Sequence, residues 1–164
     1  MNKFFNTAGP IKSDKHYHIP PPERMDWDEL LHLIDSEKYF ILHAPRQTGK
    51  TSALFELMHE LNEGDKYTAL YINIEGAQTA RNDVEAGMSA VCSVLASAAT
   101  VYLQNDQLEI WNSQHRDSSA HDRLRKMLEY WAGINSKPIV LLIDEIDALI
   151  GDTLVSVLRQ LRSG

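Results

Sequence analysis

The stretch FILHAPRQTGKTSALFELM, Phe40 to Met58, constrains this chain more than any other. An apolar run stops at a loop punctuated by Pro45 and Gly49, and apolar residues at helical spacing begin directly after Lys50 and Thr51. Strand, loop, Gly-Lys-Ser/Thr and helix, in that order, make a phosphate-binding loop. The pattern asks for a glycine, four residues and then Gly-Lys-Ser/Thr. Here Ala44 stands in the first place, followed by Pro45, Arg46, Gln47 and Thr48, then Gly49, Lys50, Thr51 and Ser52. Gly49 lets the backbone approach a phosphate closely. Successive amides and the positive end of the next helix form an anion nest. Lys50 is placed to reach the β- and γ-phosphates, and the Thr51 hydroxyl to ligate Mg²⁺.

A phosphate loop alone does not say what happens to the nucleotide. The stretch IVLLIDEID narrows the choice: an apolar strand ending in an acidic residue is the Walker B pattern, and Asp144 fits its metal-supporting position. Glu145 follows at once. In a continuing strand it projects to the face opposite Asp144, where it can serve as general base toward an attacking water. Asp147 reads as a loop or cap residue. No guanine-reading Asn-Lys-x-Asp motif occurs, which favours ATP.

The rest of the chain alternates strands and helices. A short helix is predicted over DWDELLHLID, capped by Asp26, with Trp27, Leu30, Leu31 and Ile34 on one face. Lys38 to Ala44 reads as a strand buried on both faces. Thr51 to Asn62 reads as a helix ended by Gly64. Tyr67 to Gly76 is a second strand, and Arg81 to Leu103 a long helix, whole or interrupted. Asn112 to Asp122 reads as a polar loop, followed by the helix RLRKMLEYWAGI. A third strand ends at Asp144. In the last helix Leu154, Val155, Val157, Leu158 and Leu161 form an apolar stripe, with Arg159 and Arg162 on its solvated side. This alternation predicts an α/β three-layer sandwich with a mostly parallel sheet.

Composition adds little beyond exclusions. With 164 residues and 43% apolar content the chain suits one domain with its own core. A net charge of −7 gives no footprint for nucleic acid. The single cysteine, Cys92, lies on an apolar helical stretch and reads as a small core residue in a reduced compartment. The N-terminus lacks a signal-peptide core and no run reads as a membrane span, so a cytoplasmic location is expected.

Residues 1–25 are expected to be an extended segment, because Pro20, Pro21 and Pro22 restrict themselves and their predecessors. A loose arm and a docked strap both fit it. Residues 26–164 then form the nucleotide core.

The segments GPIKSDKHYHIPP, YFILHAPRQTGKTSAL, YINIEGAQ and LLIDEIDALIGDTLVSVLRQLR together resemble the AAA-like ATPases of prokaryotes, in the P-loop class that sets a catalytic Glu beside the Walker B Asp. The resemblance runs along essentially the whole chain and includes the form of the loop in which Ala replaces the first Gly. It implies that the segment before the first strand packs over the adenine, with Tyr17, His18, Ile19 and Pro20 as candidate base contacts, and that Asn73 is a candidate to restrain the catalytic Glu. It also implies a sensor strand between the phosphate-loop strand and the Walker B strand. The chain reaches Gly164 before such a strand. A truncated piece of a longer protein, or a short product, is therefore expected. Its incomplete sheet is expected to join a second copy through exposed edges or to close by direct pairing. The function implied is hydrolysis of Mg-ATP by Lys50, Thr51, Asp144 and Glu145. A switch or scaffold that binds ATP without turnover is the alternative. A small-molecule kinase lacks support, since no acceptor pocket or lid arginines are recognisable.

Overall fold

The computed structural model describes residues 4, 15, 17, 19–43, 45 and 48–163. The chain divides into two compact units, Met1–Ala53 and Leu54–Gly164.

In the first unit, Phe4 exchanges backbone hydrogen bonds with Lys15 and Tyr17. A 3₁₀ turn at Pro21–Glu23 leads into helix α1, Trp27–Asp35. The Asp26 side chain accepts from the Glu29 amide (3.1 Å), supplying the expected cap. Trp27, Leu30 and Ile34 are the buried face.

The strand expected over Lys38 to Ala44 is not formed: residues 38–43 lie outside the sheet. Tyr39 and Ile41 are 77% and 87% exposed, whereas Phe40 and Leu42 are half-buried. This is the alternation of an extended chain. Local sequence can make a segment extended, but only a neighbouring ladder makes it a strand. The described sheet contains two strands, β1 (Thr68–Asn73) and β2 (Ile139–Asp144).

Helix α2, Lys50–Glu63, matches the sequence expectation. Ala53, Leu54, Leu57, Met58 and Leu61 are buried, and the Gly64 amide closes the helix on the Glu60 carbonyl (3.0 Å). In the second unit α2 also guards one edge of the sheet. The Asn62 side chain donates to the Ala69 carbonyl and accepts from its amide, both at 2.9 Å, as a neighbouring strand would. The Met58 sulfur accepts from the Tyr71 amide (3.3 Å). An edge filled in this way is a poor template for foreign strands.

β1 and β2 pair in parallel, in register from Thr68–Ile139 to Asn73–Asp144. Between them run a 3₁₀ turn at Glu75–Ala80 and helices α3 (Val84–Leu103), α4 (Gln107–Gln114) and α5 (Arg123–Ile134). α3 is unbroken and starts at Val84, where Asp83 accepts from the Ala86 amide (2.9 Å). By length and composition it is apolar enough to cross a bilayer. Its buried residues, among them Met88, Val91, Cys92, Leu95 and Ala99, belong to the main core with Leu108, Leu124, Met127 and Trp131. The polar loop expected from Asn112 is shorter than the sequence suggests, because α4 reaches Gln114. Leu108, Trp111 and Asn112 are its buried side, and Asn112 is held by Arg123 Nη2 (2.9 Å). Arg123 also donates to the Arg116 carbonyl (3.3 Å) just beyond the C-terminus of α4, where a cation is favoured.

In the final helix, α6 (Gly151–Arg162), three residues of the expected stripe, Leu154, Val157 and Leu161, pack on the core, but its inward face also takes in Thr153 and Gln160. Thr153, Val157 and Gln160 face inward, while Val155 and Leu158 are exposed, as are Arg159 and Arg162. Two contacts select that face. Thr153 lies so close to Gly87 of α3 that a β-carbon there would come within 2.3 Å of the threonine methyl. Gln160 caps α5, where Asp122 makes no side-chain cap: its Oε1 accepts from the Leu124 (2.9 Å) and Arg125 (3.2 Å) amides, and its Nε2 donates to the Ala120 carbonyl (2.8 Å).

Replacing Gln160 by Leu keeps the volume and strands three backbone groups, two of them buried. Each unmet group costs on the order of 1–3 kcal/mol, so Gln160→Leu lowers the unfolding free energy by about 3 kcal/mol, read from the urea midpoint with the slope unchanged.

Candidate functional site

The candidate residues fall in both units, the phosphate loop in the first and the acidic strand end in the second. In the phosphate loop, Gly49 has φ +85°, a conformation open to glycine. α2 begins at the next residue, and the Ala53 amide makes the first helical bond to the Gly49 carbonyl (3.0 Å). The first turn of a helix presents amides that the helix itself does not use, together with a partial positive charge. Thr51 and Ser52 are exposed there. Lys50 Nζ donates to the Pro45 carbonyl (3.4 Å) and Thr48 Oγ1 donates to the same carbonyl (2.8 Å). Ala44, Arg46 and Gln47 lie outside the described residues.

Arg24 is an addition that the sequence reading missed. Its Nη1 donates to the Thr48 carbonyl (2.9 Å), and a β-carbon on Gly49 would meet the same guanidinium nitrogen at 2.8 Å. Two cations, Lys50 and Arg24, thus rest on carbonyls of the phosphate loop. A turn with a left-handed glycine, a helix start and two cations suits a polyanion such as a nucleotide triphosphate. The advance signal for Arg24 is a cation two positions after the proline run, in PPPER.

Of the candidate adenine contacts, Tyr17 and Ile19 are exposed, and Pro20 is half-buried, its carbonyl accepting from the Glu23 amide (3.0 Å). His18 lies outside the described residues.

The acidic end of β2 is the second half. Asp144 is 5% exposed. Its Oδ1 accepts from the Glu145 amide (3.0 Å) and its Oδ2 from the Tyr71 hydroxyl (3.1 Å). Tyr71 lies on β1, and burial, followed by the charge and hydrogen bond of Asp144, pushes its pKa up to about 12 against an opposing hydrogen bond with Asn73. It therefore remains a donor throughout the physiological range. Glu145 differs from the sequence expectation. The strand ends at Asp144, and Glu145 turns left-handed (φ 56°, ψ 37°) into a 3₁₀ turn at Ile146–Ala148. Strand alternation therefore does not set its direction, and its side chain is exposed. A non-glycine residue in this region carries strain of about 1–2 kcal/mol. Asn73 sits opposite Asp144 in register, but its Oδ1 accepts from the Glu75 amide (2.9 Å) and shapes the turn after β1. Asp147 falls in the 3₁₀ turn, as expected of a loop residue.

Among the described residues no group of three or more His, Cys, Asp or Glu side chains is placed to hold a metal. Magnesium asks for no such cluster, since this ion commonly arrives with phosphates, keeps several waters and takes only one or two protein oxygens.

A parallel strand pair carrying an acidic C-terminal edge, with a glycine-lysine-threonine turn opening a helix, defines a P-loop α/β nucleotide-binding domain. The chain matches the AAA family, the ATPases associated with various cellular activities, over residues 40–162, and it belongs to that family. Its fold is accordingly that of a P-loop ATPase, present here as an α/β sandwich with a small sheet. No curated protein and no solved structure shows significant similarity to it.

Cys92 stands apart from this chemistry. It is fully buried, and burial pushes its thiol up to about 11, against a smaller opposing effect of Arg123. A maleimide at pH 7.5 should leave the native chain unlabelled and modify it fully in concentrated urea. Rapid labelling of native protein would contradict the core placement.

Proposed function

We propose that this AAA-family chain binds ATP with Mg²⁺ and hydrolyses it to ADP and phosphate. The observation that carries the reading is the adjacent pair Asp144–Glu145 at the C-terminal end of a parallel strand, in a chain that also holds the Gly49-Lys50-Thr51 turn at the start of a helix. The backbone from Ala44 to Ser52 (Ala44, Pro45, Arg46, Gln47, Thr48, Gly49, Lys50, Thr51, Ser52) wraps the phosphates, and Lys50 neutralises the β- and γ-oxygens. Tyr17, His18, Ile19 and Pro20 flank the adenine. Thr51 and Asp144 hold the magnesium. Bound magnesium supplies positive charge to the phosphate oxygens as negative charge moves onto the leaving group. Glu145 orients water toward the γ-phosphorus and takes its proton as the bond to the ADP oxygen breaks. An exposed carboxylate just past the buried one suits that role, because it can reach solvent water.

One observation favours the alternative, a switch that holds ATP without turnover. The segment leading into the phosphate loop lies outside the sheet, so no ladder fixes it as a strand would. One experiment separates the two readings. Lys50→Ala removes a charge-assisted phosphate contact and should weaken ATP binding about 10- to 100-fold, measured by calorimetry. Glu145→Gln should keep binding and lower kcat by about 10²–10⁴. A wild-type chain that binds ATP tightly and releases no phosphate is the switch.

A further inference from the structure

Two donors to Asp144 differ in origin. The Glu145 amide is local and comes with the turn. The Tyr71 hydroxyl comes from the neighbouring strand, 73 positions away in sequence. The terminal torsion of an aspartate is broad, so one local amide leaves the carboxylate plane poorly defined. A second donor from a fixed direction, occupying another of its lone-pair positions, selects one orientation.

Tyr71 is able to act as such a fixed donor because its ring is itself held. Phe55 packs on it with centroids 4.2 Å apart, and Tyr102 meets it edge-on at 6.4 Å. Phe55 and Tyr102 also touch, at 5.7 Å. The phenol cannot swing aside without opening this cluster. Phe55 stands on α2, four positions after Thr51, on the helix that the phosphate loop opens. Asn73, although level with Asp144 in the ladder, gives its Oδ1 to the following turn.

We infer that Tyr71 is a positioning residue: its hydroxyl fixes the orientation in which Asp144 takes the magnesium of a bound nucleotide, and its ring, through Phe55, ties that orientation to α2. The inference rests on the ATPase reading above and adds a residue that no motif marks.

Tyr71→Phe keeps the ring cluster and deletes only the hydroxyl. In EDTA the variant should bind ADP as the wild type does. In the ADP complex its affinity for Mn²⁺, followed by electron paramagnetic resonance, should fall about tenfold, the usual effect of losing a partner behind a metal ligand. The Mg²⁺ concentration for half-maximal turnover should rise in step. Phe55→Leu retains the hydroxyl and loosens the ring, so it should weaken Mn²⁺ in the same direction but less. Unchanged Mn²⁺ affinity in Tyr71→Phe, with a wild type that binds nucleotide, overturns the positioning role and leaves the ATPase reading intact. An effect in Tyr71→Phe with none in Phe55→Leu overturns the link to α2. A wild type that binds no nucleotide removes the ATPase reading itself, and this inference with it.

Discussion

The parallel ladder between β1 and β2 is the constraint on which the second unit depends. Parallel neighbours cannot be joined by a tight turn, because the chain must return along the full length of the sheet before pairing again. Everything from Ile74 to Pro138 serves that return: a 3₁₀ turn, then α3, α4 and α5. The helices are therefore long or closely latched, and they bury their apolar sides on one another and on the strands. The latches are polar. Gln160 closes the start of α5, Arg123 closes the end of α4, and Lys137 pairs with Asp65 between the segments that precede the two strands.

The ladder also decides where chemistry is possible. Two parallel strands in register end together, so Asn73 and Asp144 come level at the carboxyl edge, where ligands of open α/β sheets bind. The loops leaving that edge are joined to each other: Asn82, after the first loop, accepts from the Asp152 amide (3.3 Å) at the start of α6. Gly151 adopts φ +61° beside it, with space for no side chain, since a β-carbon would meet the Asn82 oxygen at 1.8 Å. The acidic edge is thus framed by backbone and by hydrogen bonds at once, as a site that orients charge must be.

What could be read from the sequence follows from how local each signal is. The Asp26 cap, the α2 pattern with Gly64 behind it, and the order of the phosphate loop and the acidic strand end depend on neighbours a few positions away. The long-range features did not announce themselves. Residues 38–43 have strand composition, yet a strand needs a partner, and composition does not provide one. Tyr71 looks like any aromatic in an apolar strand until register brings it to Asp144. Gln160 carries no signal in the sequence, yet its bonds to the start of α5 help decide which side of α6 faces inward. α4 escaped notice because its buried side includes Asn112, satisfied by an arginine from the next helix.

The adjacent carboxylates at the end of β2 show how one turn gives two neighbours different surroundings. Asp144 is the last ladder residue, buried and gripped from two directions, which suits a group that must present an oxygen at a fixed point. Glu145, one position on, has left the ladder in a left-handed conformation and reaches solvent. If the strand continued, Glu145 would be paired and its side chain held against the opposite face. The kink at φ 56° frees it, at a strain that the Asp144 oxygen offsets by accepting from the Glu145 amide. The same hydrogen bond therefore anchors the buried carboxylate and holds the turn that releases the exposed one. A change that straightened this turn would alter both side chains together, so the pair is best regarded as one unit set by the end of the strand.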